Sequence, residues 1–113
     1  MPLIKTLDQG IADGATINPL QGNQYEYLPF DAMVQFAILA DAGDTWLGTV
    51  FSGSDVLMQN SIVDALALAN PIIYPDHYNL EDVAAAGERL GIQLTNNTGA
   101  VADIRTAVRI IPL

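Results

Sequence analysis

The chain contains no cysteine in its 113 residues, which excludes disulfides, thiolate metal sites and thiol nucleophiles together. Packing must hold the fold. Basic residues are nearly as scarce: Lys5, Arg89, Arg105 and Arg109 stand against thirteen acidic side chains, for a net charge of −9 and a pI near 4.1. Free nucleic acid repels a chain of that sign, and with only Lys5 near the start there is no basic arm to collect a genome. Histidine occurs once, as His77, too few imidazoles for a multi-histidine metal enzyme or a two-histidine facial triad. Long apolar runs are missing as well. No stretch approaches the ~20 residues that span a bilayer, and Met1-Pro2-Leu3-Ile4-Lys5 opens without an extended apolar segment. The expectation is a soluble protein made in a cytoplasm, with no membrane and no direct nucleic-acid partner.

Catalytic signatures are equally thin. Ser52, Ser54 and Ser61 coexist with many aspartates, but Ser52-Gly53-Ser54-Asp55 lacks the Gly-x-Ser-x-Gly of a nucleophile elbow. A glycosidase needs one carboxyl group raised in an apolar cleft, and nothing in so short a chain suggests that cleft. Two acidic groups, Asp41 with Asp44, and Asp76 with Glu81 and Asp82 around His77, offer the oxygen donors calcium takes. Neither has EF-hand spacing, and turn chemistry accounts for Asp41-Ala42-Gly43-Asp44 without an ion. His77, beside Tyr78 in a Pro-bounded loop, reads as a surface or interface residue. Asn96-Asn97-Thr98 matches the glycosylation sequon, a pattern that chance often places in turns. No enzyme activity, cofactor or metal is expected.

What is present is a strand pattern. Half the residues are hydrophobic and 15% are charged, which excludes a disordered chain. Either some surface is buried by other subunits or alanine inflates the apolar count. The length fits one domain, residues 1–113. From Glu88 to Ile111, Leu90, Ile92 and Leu94 alternate with Arg89, Gly91 and Gln93. After a turn at Thr95-Asn96-Asn97-Thr98-Gly99, Ala102, Ile104, Thr106, Val108 and Ile110 alternate with Asp103, Arg105 and Arg109. Period two predicts a terminal hairpin with one buried face and a fixed register.

Upstream, Val34, Phe36 and Ile38 share a face of a strand over Met33 to Ala40. Thr45 to Phe51 returns as a central strand with Trp46, Gly48 and Val50 on one side. Ser52 to Asp55 breaks the run, and Val56-Leu57-Met58 resumes it. Ile62 to Ala69 suits a short helix or a strand, Ile72-Ile73-Tyr74 is extended, and Leu80 to Ala86 suits one helical turn. Residues 1–30 are rich in turn formers, with Thr16-Ile17 and Tyr25-Glu26-Tyr27 as short strands, or else form an ordered arm on a neighbouring subunit. Roughly seven or eight strands at this spacing predict a mainly β, single-domain antiparallel β-sandwich with at most one or two helical turns.

Three segments carry a resemblance: Val50-Phe51-Ser52-Gly53-Ser54-Asp55-Val56-Leu57; Ala85-Ala86-Gly87-Glu88-Arg89-Leu90-Gly91-Ile92; and Leu94-Thr95-Asn96-Asn97-Thr98-Gly99-Ala100 leading into Val108-Arg109-Ile110-Ile111-Pro112. Together they resemble small jelly-roll virion proteins of bacteriophages, over roughly the C-terminal half of the chain. The resemblance implies a jelly-roll-like sandwich and a non-enzymatic capsid shell or outer cement (decoration) subunit. Its partners would be copies of itself and other capsid proteins, and its place the virion, assembled in a host cytoplasm. Trp46, Phe51, Tyr74, Arg105 and Arg109 are the interface candidates, because aromatics and arginine dominate interface cores. The competing reading puts Trp46 in the core and the two arginines on a solvated face. A second hypothesis is a small carbohydrate- or ligand-binding sandwich module, with Trp46, Tyr25, Tyr27, Tyr74 and Tyr78 as an aromatic platform.

Overall fold

Alternation of side chains between two faces builds the regular elements described, and Ala32–Ala40 is largely apolar on both of its faces. The computed structural model describes residues 3–41, 45–65, 72, 77–78 and 80–113, and among them all regular structure is strand: β1 (Leu3–Ile11), β2 (Thr16–Ile17), β3 (Ala32–Ala40), β4 (Trp46–Ser52), β5 (Asp55–Ile62), β6 (Leu80–Ala84), β7 (Leu90–Asn96) and β8 (Ala102–Pro112). They form two antiparallel four-stranded sheets, the first ordered β1-β8-β3-β6 and the second β2-β7-β4-β5. The pairing is a mirror image along the chain. The first strand bonds the eighth, the second the seventh, the third the sixth and the fourth the fifth. The β3–β8 and β4–β7 ladders join these pairs into sheets.

The two inner faces supply the core expected of a sandwich. Val34, Phe36 and Ile38 of β3, with Ile104, Val108 and Ile110 of β8, face Trp46 and Val50 of β4 and Leu90, Ile92 and Leu94 of β7 across the interior. Each fully buried large apolar side chain contributes about 1.5–3 kcal/mol. Gly48 faces inward among Val63, Leu94 and Met58, where a Cβ would crowd the first two and touch the third.

Three expectations are corrected. The terminal strands are not a hairpin: β7 lies between β2 and β4 in the second sheet, and β8 between β1 and β3 in the first. Both strands bury one face, and facing each other from opposite layers covers both faces. Leu80–Ala84 is strand and not a helical turn, because pairing with Ala32–Phe36 of β3 overrides the local preference of an alanine-rich segment. Residues 3–11, read only for their turn formers, form a nine-residue strand paired with β8 of the same chain. Tyr25-Glu26-Tyr27 contributes a single bridge, Tyr27 to Arg89, in place of a strand. The reading of Ile62 to Ala69 falls partly outside the described residues: β5 ends at Ile62 and 66–69 are among the undescribed.

Asn96 makes the crossing from β7 to β8. Its side chain is 1% exposed. The amide nitrogen donates to the Ile11 carbonyl at 2.9 Å and the Ala100 carbonyl at 2.8 Å. Its Oδ1 accepts from Thr98 N at 2.9 Å and Thr98 Oγ1 at 2.7 Å. Every hydrogen-bonding position of the amide is used, so the sequon asparagine is a structural joint with no exposed nitrogen for a glycan.

Candidate functional site

The five interface candidates do not converge. Trp46 is 0% exposed and belongs to the core, which removes it from any surface contact. Tyr74 lies outside the described residues. Phe51 lies on the outer face of the second sheet, and Arg105 and Arg109 on the outer face of the first. The proposed aromatic platform disperses likewise among the described residues. Tyr25 packs against the core, Tyr27 is exposed beyond the second sheet, and Tyr78 sits beside Arg109 on the first.

The outer face of the first sheet is unusual for a two-layer fold. Gln35, Ala37 and Leu39 of β3 point away from the core with Ala107 of β8, yet they are buried, Ala37 and Ala107 completely. Two described residues of the β5–β6 connection lie on this face. The Arg109 guanidinium is 5.9 Å from the Tyr78 ring centroid, and Ile72 joins Lys5, Thr6, Leu7, Arg105 and Thr106 around a cavity of about 330 Å³. Burial pushes the Tyr78 hydroxyl above its ordinary pKa, against the opposing pull of Arg109. A polar row crosses the same face. Gln35 Nε2 donates to Glu81 Oε2 at 3.1 Å, and Arg109 Nη1 donates to Gln35 Oε1 at 2.9 Å. Register places Lys5 opposite Ala107, one step from both arginines. Three of the chain's four basic residues therefore share this face, where the sequence had grouped Arg89 with Arg105 and Arg109.

The second sheet is the opposite in composition. Its strands carry one charged residue, Asp55, at the start of β5. The strands of the first carry Lys5, Asp8, Glu81, Asp82, Asp103, Arg105 and Arg109. Outward side chains of the second sheet are hydroxyl, amide or apolar: Thr16 and Thr95 share a 2.9 Å hydrogen bond, Gln93 is exposed, and Val56 and Ile62 are 58% and 70% exposed. Phe51 lies flat across Gly91, its cross-strand partner; any Cβ at Gly91 would overlap the ring. At the rim Arg89 stacks 5.8 Å from the Phe51 centroid and is held by Glu26 at 2.9 Å. Sequence reasoning passed over Gly91 and the charge-free strands. A glycine mid-strand, which marks close approach by another group, was the signal available.

The β5 edge is blunted. Two register shifts interrupt the β4–β5 ladder, and Asn60 takes a φ of 45° there while its N–H donates to Thr49 Oγ1 at 3.0 Å. Bulges of this kind twist an edge away from further strand pairing.

Of the acidic groups read as cation candidates, Asp44 and Asp76 lie outside the described residues. Glu81 accepts from Gln35, as above. Asp82 instead meets Asp55 across the side of the sandwich, and a hydrogen bond to Asp82, its charge, burial and Glu88 together raise the Asp55 pKa. Among the described residues no three histidine or acidic side chains gather as a metal-holding group, and no helix is long and apolar enough to cross a membrane. No protein-family model, curated protein or solved structure matches this chain.

Proposed function

We propose that this chain is a non-enzymatic virion structural protein, a capsid shell or outer decoration subunit built as an eight-stranded jelly roll. One observation carries the reading: the mirror-image strand pairing, with sheet orders β1-β8-β3-β6 and β2-β7-β4-β5. That order follows from laying the chain out as one long hairpin and rolling it into two layers, the architecture shared by capsid, lectin and cupin domains. Within that set, a single histidine is a poor endowment for the metal-dependent members. An acidic chain without a basic arm suits a position away from the genome.

Light scattering after gel filtration over a range of concentrations, with electron microscopy of any associated fraction, tests the proposal. Oligomers of fixed order, sheets or closed shells are the expected result. A strict monomer that binds a small anionic ligand or a glycan would overturn it in favour of a ligand-binding module. The observation behind that second reading is the 330 Å³ cavity, where Leu7 and Ile72 offer apolar walls and Lys5 and Arg105 offer cations.

A further inference from the structure

We infer that the outer face of the second sheet is the surface through which copies of this chain dock on one another. The inference rests on the structural-subunit reading for its biological setting. Its physical basis is the distribution of charge. Each copy carries −9, so two copies repel wherever acidic surfaces meet. The strands β2, β4 and β7 contain no ionisable side chain, and the one in β5, Asp55, pairs with inward-facing Ser52. This is the face on which like-charged copies approach without placing carboxylates together.

The chemistry of the face favours its own copy over a charged partner. A strongly basic partner would be drawn to the acidic surfaces elsewhere on the molecule. A patch of threonine, glutamine and aliphatic side chains is its own complement, as the twofold contact between identical subunits requires. Val56 and Ile62 give it exposed apolar area, and Tyr27, 58% exposed beside Arg89, gives it an aromatic–arginine rim of the kind enriched at interfaces. Its size sets the strength. Strands of two, seven, eight and seven residues, ~4.8 Å apart, project roughly 400 Å², about half of the ~800 Å² per partner that a standard stable interface buries. The contact is therefore a weak one that gains from repetition in an assembly.

The mode of docking has a signature in salt. No ion pair crosses the proposed contact, so salt screens only the repulsion and association strengthens with ionic strength. Docking of the basic outer face of the first sheet onto acidic surface would weaken with salt. The experiment is sedimentation velocity and light scattering of the intact chain up to its highest soluble concentration, in low and high salt. Wild type is compared with Gln93→Glu/Thr95→Glu on the second sheet and Lys5→Glu on the first. Fluorescence of the buried Trp46, the only tryptophan, reports that each variant is folded, and Gln93→Lys/Thr95→Lys repeats the disruption with opposite charge while lowering the net charge. The expected result is association that salt enhances, weakened at least tenfold by either double variant and retained in Lys5→Glu. Assembly that survives both double variants, or that salt weakens, would overturn this face and leave the structural-subunit reading standing. A monomer under every condition would overturn the face too, while incorporation of the chain into particles would still be read separately by microscopy.

Discussion

The two sheets share a core and turn very different backs to the outside. The first sheet keeps seven charged residues in its strands, yet its outer face is closed along the central strands β3 and β8, with Leu3 and Leu7 of β1 and Val83 of β6 exposed at the edges. Gln35 bridges Glu81 and Arg109, and Ala37, Leu39 and Ala107 are buried beneath that surface. The second sheet has almost no charge and presents Val56, Ile62 and Gln93 to the outside. The covered centre of the first back therefore departs from the usual sandwich, whose outward residues are polar because they meet water. The difference separates a back whose centre is committed to contacts within its own chain from a back whose strands carry almost no charge.

Substitutions at the two backs sharpen this contrast. Leu39→Asp forces a carboxylate under the covered face and should cost about 3–5 kcal/mol, read as a lower urea midpoint. Gln93→Glu at the open face should leave the midpoint within about 0.5 kcal/mol. Equal effects would erase the distinction. Asn96→Ala cuts the joint between the sheets and strands the Ile11 carbonyl, while Ala100 keeps the Thr98 hydroxyl, at a cost of about 1–3 kcal/mol by the same measurement. Gly91→Ala collides with the Phe51 ring and should cost about 1–2 kcal/mol. In a Phe51→Ala background the penalty should nearly vanish, a coupling that a double-mutant cycle reads directly.

The smallest effects are those of pH. Burial raises the Asp8 pKa on the first sheet, and Asp82 raises that of Asp55 on the second. A raised carboxylate disfavours its ionised form in the folded state. The resulting destabilisation is fully present above the folded pKa and is relieved as pH falls through it toward the ordinary 3.8. Asp8→Asn and Asp55→Asn should each raise the melting temperature at neutral pH and lose that gain below 3.8. Salt should shrink the gain for Asp55, a like-charge pair at the surface, and spare the gain for Asp8, whose cause is desolvation.

Faces were legible in the sequence; neighbours were not. Leu90, Ile92 and Leu94, like Ile104, Val108 and Ile110, turn inward as their alternation requires. Periodicity says which side of a strand is apolar and is silent on which strand lies beside it. A hairpin and a crossing between sheets make the same pattern, and the choice fell to the buried amide of Asn96, whose four bonds reach two separate stretches of the chain, the end of β1 and the turn before β8. Leu80–Ala84 misled because Ala84-Ala85-Ala86 favours helix locally, while its strand state depends on β3, some fifty residues earlier. Among the site residues, Trp46 was legible as core. The open face was legible only as an absence, since strands without charge become a surface property once they lie side by side.

The mirror-image pairing also governs the order of events as the molecule is made. Only β4 and β5, joined through Gly53 at a φ of 59°, can pair as soon as they leave the ribosome. Each successive pair waits for a later strand, and β1 has no partner until Ala102–Pro112 has been synthesised. Nearly every stabilising contact thus closes a long loop, which makes for slow folding. Until the last strand arrives, β3 presents an unpaired edge that invites aggregation. A chain cut short before Ala102 has no means of finishing its first sheet, because β8 is the strand that joins β1 to β3.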